Sequence, residues 1–412
     1  MTLRTDVLVV GGGATGTGIA RDLALRGVDV VLVDRGGLAG GTSSRSHGLL
    51  HSGARYAPAD RAGAEECIRE RRILGSIAGA CVRDTGGLFV ELEDDDPDYL
   101  RAKHDACVDI GIPATLLTAA EARDRVPDLA PDVRRAMAVP DAVVYPSRLV
   151  AANAEDARDH GARILTHTPV EGMRVAGDRI TGVRVGGQVD GAIEAKFVVN
   201  AAGAWADRIA AMADVDVEMH PNRGVMIAVD YADLDPVLNR GRDPGDGDIV
   251  VPHADEVVLG TTSVDVDDPD DPGSADWELD RVREECARML PPVAEAEPIR
   301  TWWGVRPLYA PDEAARGGRG ISRGFFLLDH EIDGVANLAS IVGGKLTTYR
   351  AMAEATADLV ADRLGVDDPC ITADRRLPGA DDPARLDAFV AAFDAGGPSD
   401  ADVRTGGDRD EP

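Results

Sequence analysis

The chain has 412 residues, 73 acidic side chains against 44 basic ones, and a formal net charge of −29. That balance excludes non-specific nucleic-acid binding, which needs a basic surface, and disfavours docking on anionic lipid. The length fits two or three domains whose core needs no disulfide or metal, and 44% hydrophobic with only 4% aromatic residues means a core of Ala, Val, Leu and Ile. In chain order, Asp6 to Val10 reads as a buried strand running into Gly11-Gly12-Gly13-Ala14-Thr15-Gly16. A helix follows and stops at Gly27, and Val28 to Val33 is a second buried strand ending at Asp34. This is a complete β-α-β unit with the apolar runs of a parallel sheet.

Residues 36–48 are rich in Gly, Ser and Thr and read as a long functional loop. Ala62 to Ala80 reads as a helix, Gly86 to Leu92 as a strand and Asp94-Asp95-Asp96-Pro97 as a solvated turn. Leu149 to His160 is a helix, Ala162 to Thr166 a strand, and Lys196 to Asn200 a strand entering the small-residue turn Ala201-Ala202-Gly203-Ala204. Asp265 to Pro272 is an acidic loop. Leu338 to Val342 is a strand leading into Gly343-Gly344-Lys345, and Thr347 to Leu364 is a helix. Nucleotide-handling elements thus recur near the start, middle and end. The pattern predicts one domain assembled from 1–84, 146–215 and 321–377, and a second from 85–145 and 216–320. The Gly- and Asp-rich stretch 378–412 is expected to be an acidic tail, disordered after about Asp394.

Lysine occurs only at Lys103, Lys196 and Lys345; every other basic residue is Arg. An Asp-rich, Lys-poor surface suits high salt, where screening removes self-repulsion, and predicts a halophilic protein. The five cysteines are scattered, with no C-x-x-C pair, so neither a disulfide framework nor a metal site is expected. No run of about 18 apolar residues and no leader-like N-terminus is present, which predicts a cytoplasmic chain.

Gly11-x-Gly13-x-x-Gly16 lies between strand and helix, with an acid at the end of the next strand. Gly11 allows the tight turn, Gly13 lets backbone approach a pyrophosphate, and Gly16 lets helix pack on sheet. The helix N-terminus offers N–H groups to phosphates, and Asp34 accepts from a ribose diol while repelling a 2′-phosphate. The motif alone leaves NAD and FAD open. Two further segments favour FAD. Gly40-Gly41-Thr42-Ser43-Ser44-Arg45-Ser46 supplies hydroxyls and N–H groups to wrap a diphosphate. Gly343-Gly344-Lys345-Leu346-Thr347-Thr348-Tyr349 repeats the strand–Gly–helix pattern and adds an ammonium.

These segments resemble FAD-dependent glycerol-3-phosphate dehydrogenases. The resemblance is carried by G-G-G-A-T-G-T-G-I-A-R-D-L-A-L-R-G and by G-T-S-S-R-S-H-G-L-L-H-S-G-A-R-Y-A, whose second half is like the large subunit of the anaerobic type. N-A-A-G-A-W-A-D from Asn200, L-G-T-T-S from Leu259, G-V-R-P-L from Gly304 and G-G-K-L-T-T-Y-R from Gly343 extend it, in family order, to about residue 380. The resemblance implies an α/β, glutathione-reductase-like FAD domain joined to an α+β substrate domain like that of D-amino-acid oxidase. It implies oxidation of sn-glycerol 3-phosphate to dihydroxyacetone phosphate, with electrons passing through partner subunits to a membrane quinone. Large subunits of the anaerobic type continue into a cysteine-cluster region; this sequence has no such cluster after Leu377-Pro378-Gly379.

The cofactor site is expected to comprise Gly11, Gly13, Ala14, Thr15, Gly16, Asp34, Thr42, Ser43, Ser44, Arg45, Val170, Ala202, Gly203, Gly343, Gly344, Lys345, Leu346 and Thr347. A dianionic phosphate needs cationic anchors, and Arg55 and Arg306 are the candidates, since guanidinium binds phosphate bidentately. Arg223 is a weaker third. His51 is the candidate general base, with an ordinary pKa of ~6.5 near neutrality; alternatively it only hydrogen-bonds the cofactor loop. Tyr56 either hydrogen-bonds the substrate or packs. Thr261 and Thr262 are expected to line the pocket, His47 to be structural, and Trp302 and Trp303 to be core. Two other readings stay open: an oxidoreductase of the same fold acting on an amino acid or 2-hydroxy acid, and a non-catalytic flavin-binding subunit.

Overall fold

The computed structural model of the chain describes residues 2–309 and 324–400. Thr2–Val10 is the central strand of the first sheet, parallel to Val30–Val33 on one side and Gly191–Asn200 on the other. Arg163–Leu165 continues the parallel order beyond Val30–Val33, and Leu338–Gly343 pairs with the C-terminal end of Gly191–Asn200. The N-terminal half of Gly191–Asn200 instead carries the antiparallel hairpin Val170–Ala176 and Arg179–Val185. Val10, Val33, Leu165, Asn200 and Gly343 therefore end at one edge, where open parallel sheets place their ligands.

The strands are buried on both faces, so alternate residues enter different cores. Val7, Val9, Val30, Leu32 and Val199 pack under the helices Ala14–Leu25, Pro146–Asp159 and Tyr349–Leu364. Leu8, Val10, Val31, Val33 and Val198 face the hairpin and the short helix Ala206–Ala211. Continuous Val and Leu runs in the sequence are the direct consequence.

The chain leaves this sheet twice to build a second one, of nine strands among the described residues. Gly87–Leu92, Thr115–Thr118 and Val133–Val139 come from the first excursion, and strands between Met219 and Tyr309 from the second. Gly87–Leu92 and Val237–Arg240 pair in parallel; they are the seam between the two excursions. Met219–Asp230 and Pro298–Tyr309 pair over their full length, with Asn222 opposite Arg306. Helix Asp276–Met289 covers one face through Val282, Cys286 and Met289, and helix Tyr99–Ile110 covers Phe89 and Met137 through Leu100 and Cys107.

Two expectations are corrected. Residues 378–400 are not a disordered tail. Asp382 accepts from the Arg385 N–H (3.1 Å) and Pro383 opens a helix to Ala392, whose Leu386, Phe389 and Val390 join the main core with Phe393. Leu at i, aromatics at i+3 and i+7, and Val at i+4 make the apolar stripe that outweighs the polar composition. Beyond it, the buried Asp400 carboxylate accepts from the Ser147 N–H (2.9 Å) and hydroxyl (2.6 Å), capping a helix whose own N-cap residue, Tyr145, cannot. Residues 401–412, the rest of the expected tail, lie outside the described residues. The second correction is at Asp94-Asp95-Asp96-Pro97: Asp95 is buried and grips the buried Arg240 at 2.6 and 2.9 Å, so only its neighbours face water. Among the described residues, no helix is long and apolar enough to cross a membrane.

Candidate functional site

The nucleotide end is made chiefly of backbone. Gly11 has φ +112°, and a Cβ there would fall 2.4 Å from the Ala201 carbonyl oxygen; one on Gly16 would fall 1.9 Å from that of Gly11. No side chain fits at either position, so strand end and helix start close on each other. Gly13 caps the helix without a side chain, and the Ser43 hydroxyl accepts from the Ala14 N–H at 3.0 Å. The Asp34 carboxylate accepts from the N–H groups of Gly12 (2.6 Å) and Gly36 (2.8 Å). Burial raises the Asp34 carboxyl above its ordinary range, and those two bonds oppose the rise. Val170, Ala202 and Gly203 complete this wall.

The loop 36–48 divides its labour. Thr42 donates to the Val305 carbonyl (2.6 Å), tying the loop to the second sheet, and Thr42 and Ser43 line the cavity. Ser44 and Arg45 do not. Ser44 is fully buried with its hydroxyl donated to Ala39 O, and Arg45 is exposed and donates to Gly40 O at 3.3 Å. Their expected cofactor contacts are corrected: in this tight 3-10 turn successive side chains point in different directions, and only Thr42 and Ser43 face inward. The C-terminal segment braces the loop from behind, the Ser399 hydroxyl lying 2.6 Å from both Ser44 O and Ser46 O. Gly16 likewise packs behind the cavity rather than lining it. Gly343, Gly344, Lys345, Leu346 and Thr347 line it from the opposite side.

At the far end, the turn 51–56 is held from three directions. The His51 N–H donates to Thr347 Oγ1 (3.1 Å), the Ser52 N–H to the buried Asp141 carboxylate (2.7 Å), and Lys103 Nζ donates to the carbonyls of Ala54 and Arg55. The turn thus presents His51, Arg55 and Tyr56 to the cavity. The Tyr56 ring lies 5.4 Å from that of His51, edge-on, and carries Lys345 Nζ 4.7 Å above its face. Arg55 reaches Asp248 only at 3.8 Å, because Asp248 is already engaged by Arg242 at 2.8 Å.

Arg306 is aimed by its strand. Its guanidinium donates to Asn222 Oδ1 (2.6 Å), its cross-strand partner, and to Arg223 O (3.0 Å), Thr262 O (2.9 Å) and Thr261 Oγ1 (3.2 Å). A Cβ on Gly224 would sit 2.5 Å from that guanidinium, so the glycine keeps its space open. Thr261 and Thr262 both border the cavity, but the Thr262 hydroxyl is turned away, donating to the buried Glu278 at 2.6 Å. Glu278 also takes Arg223 at 2.7 Å, so that arginine is neutralised and is not a third anchor. Trp302 is core, and Trp303 packs against the core of the second sheet.

Sequence reasoning missed several lining groups. His47 stands in the cavity wall with its ring 6.2 Å from that of His51. Burial, then Arg55 and Arg306, push its imidazole down to about 3, so it is neutral. Trp205 and Arg208 line the nucleotide end, both bonded to Asp270 of the acidic loop, and Arg35 stacks over Trp205 at 4.4 Å. The W of N-A-A-G-A-W is the only sequence signal for them.

The groups named as lining border one cavity of about 1130 Å³, running from Asp34 to Arg306. Residues 6–359 match the model of the FAD dependent oxidoreductase family. The A1 subunit of the anaerobic glycerol-3-phosphate dehydrogenase of Haloferax volcanii is 49% identical over 402 residues, covering 94% of this chain and 69% of that one. The corresponding polypeptide of the anaerobic enzyme of Escherichia coli K12 is 45% identical over 388 residues, covering 93% and 71%. The FAD-complexed glycerol-3-phosphate dehydrogenase of Bacillus halodurans superposes with a TM-score of 0.69 at 25% identity, over 97% of this chain and 74% of its own. With the glycine fingerprint, the two-sheet architecture and the continuous cavity in place, the chain belongs to the FAD-dependent oxidoreductase family, alongside these A subunits of anaerobic glycerol-3-phosphate dehydrogenase.

Proposed function

We propose that this chain oxidises sn-glycerol 3-phosphate to dihydroxyacetone phosphate using non-covalently held FAD. The observation that carries the proposal is the polarity of the cavity. One end offers glycine backbone and the Asp34 carboxylate; the other offers Arg55, Arg306 and Lys345 around His51. The residues fit the cofactor: a cradle that excludes Cβ atoms suits a pyrophosphate, and Asp34 keeps lone pairs for a ribose diol after accepting two N–H bonds. Gly11, Gly13, Ala14, Thr15, Asp34, Thr42, Ser43 and the 343–347 turn would hold it. FAD, when bound, supplies the hydride acceptor that alcohol oxidation requires.

The protein's own groups do the rest. Arg55 and Arg306 grip the phosphate, and in a chain of net charge −29 they also supply the local positive field a dianion needs. His51 takes the hydroxyl proton on a ring nitrogen as the C–O bond becomes a carbonyl. Tyr56 orients the substrate beside His51, and Lys345 sets a cation over it. Partner electron-transfer subunits, leading to a membrane quinone, are the proposed exit for electrons, and a cytoplasmic chain held at the membrane by them is the proposed location.

The test is anaerobic titration of the purified yellow holoprotein with glycerol 3-phosphate. Bleaching of the visible absorption, restored by a dye acceptor, is expected. A protein bleached by dithionite but untouched by glycerol 3-phosphate overturns the assignment. Acid precipitation should release FAD into the supernatant; colour kept in the pellet contradicts non-covalent binding.

A further inference from the structure

Lys103 lies on the helix Tyr99–Ile110, outside the cavity and 1% exposed. Its ammonium donates to Ala54 O (3.1 Å) and Arg55 O (3.3 Å) and lies 5.0 and 5.2 Å from the ring centroids of Phe89 and Tyr99. Among the described residues no carboxylate comes within ion-pair distance of it. A buried cation without a carboxylate is costly, and carbonyl dipoles and ring faces offset only part of that cost. Burial, then the Arg55 guanidinium, lower this ammonium to about 8, which leaves it charged at neutral pH. The chain otherwise uses Lys only at the exposed Lys196, paired with Asp6, and at Lys345 in the cavity. A charge is therefore kept at a place where an apolar side chain would pack more cheaply.

The two carbonyls it holds belong to Ala54 and Arg55 themselves. We infer that Lys103 is a positioning residue for Arg55, and that its charge, held without an ion-pair partner among the described residues, adds to the positive field of the phosphate site. This rests on the reading of Arg55 as a phosphate anchor. The helix carrying Lys103 covers the second sheet, and the turn carrying Arg55 follows the short strand Leu49–Leu50 and packs Ala54 against that helix, so one ammonium ties the anchor to the second sheet's cover.

The experiment compares Lys103→Met and Arg55→Ala with wild type as FAD-loaded holoproteins, using dye reduction by glycerol 3-phosphate and inhibition by inorganic phosphate. For Lys103→Met the expected result is KM raised about tenfold or more, phosphate inhibition weakened in parallel, kcat within about threefold and an unchanged flavin spectrum. Lys103→Arg, which restores charge but not shape, should recover part of the KM. KM unchanged in Lys103→Met, or KM, kcat and FAD content lost together, overturns the inference. If Lys103→Met does not fold, Lys103→Gln keeps a donor to the carbonyls without the charge and is judged by the same criteria. An unchanged KM in Arg55→Ala defeats the underlying anchor reading; a raised one there with Lys103→Met unaltered defeats only the role of Lys103.

Discussion

The two ends of the cavity are built on opposite principles. The nucleotide end is founded on one β-α-β unit and completed by the 36–48 loop, Val170, Ala202 and Gly203, and its working parts are chiefly N–H groups, absent Cβ atoms and a single carboxylate. The end proposed to be catalytic draws His51 and Arg55, Thr261, Arg306 and Lys345 from four distant stretches, and its lining is made of side chains. Backbone recognition spreads the binding energy over many small contributions that no one substitution removes. Side-chain recognition concentrates it in few groups, each braced by others: Arg306 by Asn222, His51 by Thr347, Arg55 by Lys103. Substitutions that remove a side-chain group should therefore be severe at one end and mild at the other.

The largest effect is expected at His51. His51→Gln should lower kcat by about 10²–10⁴-fold with the flavin spectrum intact, and abolish the acidic limb of the kcat/KM profile. Rates within a few-fold of wild type would move the proton acceptor elsewhere. Arg306→Ala should cost two to three orders of magnitude in kcat/KM, about 3–4 kcal/mol, with partial recovery in Arg306→Lys because an ammonium cannot make the bidentate fork. Glycerol, lacking the phosphate, should be a poor substrate for both proteins. Loss of FAD with activity would instead make Arg306 part of the scaffold.

His47 gives a smaller effect, read in stability. Its folded-state value of about 3 lies below the ordinary ~6.5, so below pH 6.5 the unfolded chain binds a proton that the folded chain refuses. Stability is thus fully present above about pH 6.5 and falls as pH drops toward 3, by at most about 1.4 kcal/mol per unit. In His47→Gln the loss between pH 7 and 5, from urea midpoints, should be about 1–2 kcal/mol less than in wild type. Equal losses would mean His47 takes up its proton without penalty.

The smallest effect tests the backbone end. Asp34→Asn replaces one acceptor oxygen with an amide facing an N–H, and should weaken FAD binding about tenfold by equilibrium fluorescence. A loss of several orders of magnitude would show that the carboxylate, and not the glycine backbone, dominates the cradle, and would erase the contrast between the ends.

Sequence by itself determined what is local. The fingerprint, Asp34, the buried Val and Leu runs and the Gly343 turn are legible from strand and helix periodicity and from glycine spacing, although the atom that bars a Cβ at Gly11, the Ala201 carbonyl oxygen, comes from far along the chain. Even the helix over Pro383–Ala392 is encoded locally, by Asp382, Pro383 and an apolar stripe, beneath a misleading composition. Tertiary structure decided what depends on a partner far along the chain. Arg306 and Arg223 look equivalent as arginines in glycine-containing strands, yet one meets Asn222 and open cavity and the other meets the buried Glu278. Thr42 is tied to the Val305 carbonyl at the rim of the second sheet, and Lys103 reaches across to the carbonyls of Ala54 and Arg55. A charged group's effect is set by its counter-charge and its desolvation, and both are fixed only when segments well separated in the sequence pack together.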